Sequence, residues 1–176
     1  VIFRPNPSRE TFAQEAFMPV NPVPEGFHTL TPNLVCTNAA GAIDFYVKVF
    51  GAKELSRVPG PHGEIMHAEL QIGDTKIFIN DTMSAVGPST AAAGQSNAMY
   101  LHLYMPDVDT IFNRAVTAGA RVDMQLQDMF WGDRYGKITD PFGQQWGLAT
   151  HIEDVSPEEL ERRQKELFSK AAAAQG

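Results

Sequence analysis

The stretch Asp140-Pro141-Phe142-Gly143-Gln144-Gln145-Trp146-Gly147-Leu148, DPFGQQWGL, decides how the chain folds. Asp140, Pro141 and Gly143 stand where a type I turn favours them, at its first, second and fourth positions. The runs on either side, RYGKITD and QQWGLAT, read as the two strands that the turn joins. Upstream of them RVDMQLQDMFW is another strand, and VDTIFNRAVTAGA is a helix with Val108, Ile111, Phe112, Ala115 and Val116 on one face and Gly119 as its stop. AMYLHLYM, before that helix, is a strand again, so the order is strand, helix, three strands.

The same order occurs once more, earlier in the chain. TLTPNLVC is extended, and AAGAIDFYVKVFGA is a helix with Ala42, Phe45, Tyr46, Val49 and Phe50 on one face before Gly51. KELSRV, MHAELQI and TKIFIND follow as strands, separated by the turn clusters PGPHG and GD. The tail is a further helix with Ser156 as N-cap, Pro157 in its first position and Glu159 three residues after the cap, and Leu160, Leu167 and Phe168 are available for docking. The sequence predicts an α+β chain: an extended arm over 1–27, one domain over 28–155 made of βαβββ modules at 28–83 and 98–151, and a C-terminal helix over 156–176. Met18 opens MPVNPVPEGFHTL; either it is the native start, with 1–17 an added arm, or the terminus is processed.

A formal net charge of −7 and a sequence pI near 5.1 exclude the basic footprint that nucleic acid demands. Cys36 is the only cysteine, so the chain holds neither an internal disulfide nor a thiolate metal cluster, and it suits a reducing cytoplasm. On the helix-facing side of its strand, Cys36 reads as a small apolar core residue. No apolar run reaches the roughly 18 residues of a membrane span, and residues 1–27 lack the order of a signal peptide.

Side chains alternate across a strand, which divides each strand into two faces. Pro32, Leu34, Cys36, Met66, Ala68, Leu70, Ile72, Ile77 and Ile79 oppose Thr31, Asn33, His67, Glu69, Gln71, Phe78 and Asn80. In the second module Leu101, Leu103, Met105, Trp146 and Leu148 oppose Tyr100, His102, Tyr104, Gln145, Gly147 and Ala149. One face is apolar and belongs under the helices; the other mixes polar and aromatic residues and suits a concave ligand site.

AIDFYVKVFGA after the first strand and DPFGQQWGL near the end resemble the vicinal oxygen chelate superfamily, which includes glyoxalase I, bleomycin-resistance proteins and extradiol dioxygenases. PEGFHTLTPNLV, MHAELQIGD, LHLYMPDVD, FWGDRYGKITDPFGQQW and ATHIEDVSPEEL are similar to its PhnB-like branch and cover nearly everything from Pro24 to Leu160. The resemblance implies sheets curled around a cleft, usually in a homodimer. Metal-dependent members carry a His, Glu or Gln ligand on the first, fourth, fifth and eighth strands. The matching positions here are Thr31, Phe78, Tyr100 and Gly147, none of which is a usual ligand, so no metal and no other cofactor is expected.

The expected activity is binding of a small organic molecule in an aromatic-lined cleft. Thr31, Asn33, Phe78, Asn80, Tyr100, Tyr104, Trp131, Arg134 and Tyr135 are its candidate wall, and His67, Glu69 and His102 are acid/base candidates if the strands bring them together. Two alternatives stand beside it: a glyoxalase-type lyase or isomerase using those three residues as acid/base or as unorthodox metal ligands, and a protein that sequesters an antibiotic. Neither membrane nor nucleic acid is an expected partner. In FWGDRYG, Gly132-Asp133 reads as a two-residue hairpin turn, but the alternation from Ile138 then puts Tyr135, not Arg134, on the face of Trp131; a bulge near Gly136 or a longer turn reconciles them. His151 and Asp154 read as the lead into the last helix.

Overall fold

A computed structural model describes residues 21–82 and 99–173. The alternative start at Met18 and most of the loop between the modules lie outside the described residues. In chain order the elements are β1 (Asn33–Cys36), α1 (Ala39–Phe50), β2 (Lys53–Pro59), β3 (Ile65–Ile72) and β4 (Thr75–Asp81). The second set is β5 (Leu101–Tyr104), α2 (Val108–Thr117), β6 (Arg121–Asp128), β7 (Asp133–Thr139) and β8 (Gln145–His151), followed by α3 (Pro157–Ala173). Each set makes a four-stranded sheet, ordered β1-β4-β3-β2 and β5-β8-β7-β6. The outer pairs β1–β4 and β5–β8 are parallel and the remaining pairs antiparallel, which gives the repeated βαβββ module. No described helix is long and apolar enough to cross a membrane.

The helices begin and end where their residues dictate. The Asn38 side chain accepts a hydrogen bond from the Gly41 N–H at the start of α1, and Gly51 ends it at φ 70°. Asp107 accepts from Thr110 N–H at the start of α2, and Ser156 Oγ from Glu159 N–H at the start of α3. The apolar face predicted for α1 is buried in full. On α2 it stops one residue short, because Val116 lies in the last turn and is 40% exposed. Leu160 of α3 is half-buried, whereas Leu167 and Phe168 are exposed.

Strand alternation holds at Leu34, Cys36, Ala68, Leu70, Ile72, Ile77, Ile79, Trp146 and Leu148, all buried. It fails at Met66, which the alternation assigns to the core but which is exposed, with Ile65 buried in its stead. A register shift between Val58 and Pro59 sets Val58 opposite His67 and Pro59 opposite Ile65, so Met66 is the extra residue of a bulge. Each large side chain fully buried in this core, such as Ile43, Leu70, Ile79 or Leu148, contributes about 1.5–3 kcal/mol of apolar transfer free energy.

The modules meet through their helices and the DPFG turn. Asp140 is buried, and its Oδ2 accepts from Tyr46 Oη at 2.8 Å and from Trp146 Nε1 at 3.0 Å. Its Oδ1 accepts from the N–H groups of Phe142 and Gln144, so one carboxylate shapes the turn and ties α1 to it. Around it Trp146 packs edge-on to Tyr46 and tilted against Phe50, and Phe45 meets Phe142. Arg114 of α2 donates to the Val49 carbonyl of α1.

Candidate ligand-binding faces

With α1 and α2 on the apolar faces, each sheet turns its mixed face outward. On the first, His67 and Glu69 are neighbours on one side of β3, His67 Nε2 standing 3.7 Å from Glu69 Oε1, and the His67 ring leans on Phe78 of β4 at 4.9 Å. Asn33 donates to Asn80 Oδ1 along the parallel β1–β4 pair. The segment before β1 folds back over this face. Phe27 sits 5.5 Å from Phe78, Lys76 Nζ lies over the Phe27 ring at 4.1 Å, and the same ammonium donates to the Glu25 carbonyl. A cavity of about 390 Å³ between the segment and the sheet is lined by Pro22, Pro24, Phe27, Thr31, Glu69 and Phe78.

The second face gathers Tyr100, His102, Tyr104, Trp131 and Tyr135, and its centre is a residue that sequence reasoning assigned to a turn. Asp133 is 3% exposed. Its Oδ1 pairs with His151 Nδ1 at 2.8 Å, while its Oδ2 accepts from Trp131 Nε1 at 2.9 Å and Tyr104 Oη at 3.0 Å. Burial works to raise the Asp133 carboxyl, but the bonds from His151, Tyr104 and Trp131 together hold it below the usual aspartate range. The other His151 nitrogen, Nε2, pairs with Asp154 Oδ1 at 2.9 Å; the bonds to Asp154 and Asp133 raise the imidazole above the ordinary histidine value. Burial lowers His102 from that value, with Asp133 opposing, and its ring stacks on Tyr135, centroids 5.4 Å apart and planes 6° apart. Tyr135 is raised by burial and by a hydrogen bond with Tyr100, and Lys137 Nζ lies 4.6 Å over the Tyr100 ring.

Four expectations about FWGDRYG and the candidate site residues change. Gly132-Asp133 is not a two-residue turn: Met129 and Asp133 close a three-residue loop, Phe130-Trp131-Gly132, with Gly132 at φ 98°. The longer loop resolves the conflict of alternation, since Trp131 and Tyr135 then share a face at 5.9 Å. Arg134 turns to the opposite face, where it is bidentate to Asp109 of α2 and also bonded to Asp128, and so braces the hairpin from behind. His151 is no mere lead into α3; it is the last residue of β8 and faces Asp133. His102 is not brought to His67 and Glu69, because it belongs to the other sheet. Among the described residues no hydrogen bond or ring contact joins the two outward faces.

Asp133 was findable. Counting outward from DPFG, residue for residue along the antiparallel pair, sets Thr139 opposite Gln145 and Asp133 opposite His151. Gly132 then secures the geometry: its carbonyl accepts from the N–H groups of Ile152 and Glu153, and a Cβ there would lie 2.1 Å from the Glu153 oxygen.

The residues at the family's metal positions do not fit a divalent cation. Thr31 and Phe78 stand on the first face and Tyr100 and Gly147 on the second, and a Cβ on Gly147 would meet Tyr135 Oη at 2.9 Å and Tyr100 Cε2 at 3.2 Å. Two tyrosine rings occupy the space of an eighth-strand ligand. Among the described residues no group of three or more His, Cys, Asp or Glu is placed to hold an ion. Cys36 is buried, and burial first, then Asp140 and Asp81, push its thiol up to about 12, so it is no nucleophile. A separate cleft of about 320 Å³ between the Gly73-Asp74 turn and β5 touches His102 and Tyr104 but is otherwise lined by core-side residues such as Ile72, Leu103 and Trp146.

Paired βαβββ sheets with an outward mixed face on each define the class. The family model "Glyoxalase/Bleomycin resistance protein/Dioxygenase superfamily" matches residues 27–148, and the chain belongs to that superfamily. It is 44% identical over 135 residues to the uncharacterized protein Rv0887c of Mycobacterium tuberculosis, covering 75% of this chain and 79% of that one. Among solved structures, TioX from Micromonospora sp. ML1 aligns with a TM-score of 0.57 at 30% identity, over 70% of this chain and 98% of that one. The PhnB protein from Bacillus cereus shares the fold with a TM-score of 0.57 at 20% identity, over 70% and 99% of the two chains.

Proposed function

We propose that the chain binds a small organic molecule against the aromatic face of its second sheet, without the family's metal, as a cytoplasmic homodimer whose other subunit encloses the open face. Asp133 carries the reading. Burying a carboxylate at the end of a hairpin is costly unless its bonds serve an arrangement, and all three of its side-chain bonds go to groups of this face: Tyr104, Trp131 and His151. Tyr100, just before β5, and Tyr104, at its end, are 46% and 59% exposed, too much aromatic surface for a plainly solvated sheet. The open sheets support a dimer, as Leu55, Val58 and Met66 leave apolar surface uncovered along β2 and β3.

Tryptophan fluorescence tests the site, because Trp131 lies on the face and Trp146 is buried in the core. Screening small planar compounds is expected to give saturable quenching that disappears in Trp131→Phe and weakens in Tyr104→Ala. Saturable binding that survives both changes would place the ligand elsewhere. Native mass spectrometry of the purified protein is expected to show a dimer free of stoichiometric divalent metal; one or two zinc or nickel ions per subunit would overturn the metal-free reading.

A further inference from the structure

The second face carries a lysine and a histidine beside its rings, and the histidine has a replaceable partner. Asp133 is saturated by Tyr104, Trp131 and His151 Nδ1, which fixes the imidazole and turns Nε2 toward the end of β8. There it meets Asp154, whose side chain is fully exposed. An exposed carboxylate bonded to one imidazole gains little net free energy from the pair, since water competes for both groups. Asp154 therefore occupies, at little cost to remove, the position where an incoming acceptor would receive a charge-assisted hydrogen bond. Lys137, over Tyr100 on the same face, adds a positive charge. The first face contrasts with it: His67 pairs with Glu69, and Lys76 is engaged by Phe27 and Glu25.

We infer that the ligand of the second face is a planar organic anion, its ring against Trp131 and Tyr104 and its carboxylate on His151 Nε2 in the place of Asp154. This rests on the small-molecule reading above and narrows it to a chemical class. Asp133 is a positioning residue that holds the donor, and Asp154 is a built-in competitor. Binding has a pH signature: affinity falls as the pH rises through the raised value of His151. The groups facing that imidazole are Asp133 of β7, Asp154 beyond β8, and, through Asp133, Tyr104 and His102 of β5.

Benzoate and benzamide, alike in shape and different in charge, are the probes. Binding is followed by Trp131 fluorescence and by the ring nitrogen resonances of His151, below pH 6.5, the ordinary histidine value. Benzoate is expected to bind roughly ten-fold more tightly than benzamide and to shift the Nε2 resonance. Asp154→Asn, an exposed substitution that leaves the fold alone, is expected to strengthen benzoate several-fold without changing benzamide. His151→Gln is expected to abolish the difference between the probes. Equal binding of both probes, or no gain for benzoate in Asp154→Asn, overturns the anion assignment while the aromatic face stands. Failure of both probes to bind or to perturb Trp131 overturns the face itself.

Discussion

At the scale of single residues the second face depends on Asp133, and its linkage to pH has a definite sign. The Asp133 carboxyl is lowered on folding, so its contribution is complete above the ordinary aspartate value of 3.8 and is lost as the pH falls through the lowered one. The His151 imidazole is raised, so its contribution is complete below 6.5 and is lost as the pH climbs through the raised value. The pair thus stabilises most between 3.8 and 6.5. His102, lowered by burial, works in the opposite sense, so the effect is read as a difference. In thermal melts the gap between wild type and His151→Gln is expected to be widest in that window and to close as the solution turns alkaline. Asp133→Asn is expected to cost about 2 kcal/mol, because the amide cannot accept all three side-chain bonds at once, and nuclear magnetic resonance should find His151 returned toward its ordinary value.

At the scale of elements much was readable from the sequence, and the failures have local causes. The helices, the eight strands and their order follow from periodicity and turn chemistry, because each helix carries a cap and most strands alternate between turn clusters. Met66 escaped because a bulge shifts alternation by one residue without any mark in composition. Arg134 was set toward the ligand by a turn one residue too short, and the same error hid Asp133 among turn residues. His67 and His102 looked alike by parity, yet parity says nothing about which sheet faces which. The hairpin loop itself offers a sharp test. Gly132→Ala puts a Cβ against the Glu153 carbonyl at a φ of 98°, and is expected to cost roughly 2–4 kcal/mol in urea unfolding and to loosen Trp131.

At the scale of the whole molecule the two repeats are joined both by Asp140 and by the rings packed around it. Tyr46→Phe removes one donor to Asp140 and leaves Trp146 in place, an expected loss of about 1–2 kcal/mol. Asp140→Ala removes the acceptor for both rings and for two backbone N–H groups, and about 4 kcal/mol is expected. Both variants should still unfold in one transition by fluorescence and circular dichroism, since Trp146 also packs against Phe50 and Tyr46 across the interface. Separate transitions for the halves would show that the apolar contacts alone do not couple them.

The segment folded over the first face bears on stoichiometry. A chain built from two like modules has two outward faces, but Phe27 lies on Phe78 and Lys76 clasps Phe27, so the aromatic ring of one face is covered by the chain's own residues. A planar probe is therefore expected to titrate calorimetrically at one equivalent per chain. Phe27→Ala should uncover the second equivalent as a weaker step, because on the face it exposes His67 stands 3.7 Å from a partly exposed Glu69 and is not held by a buried carboxylate as His151 is.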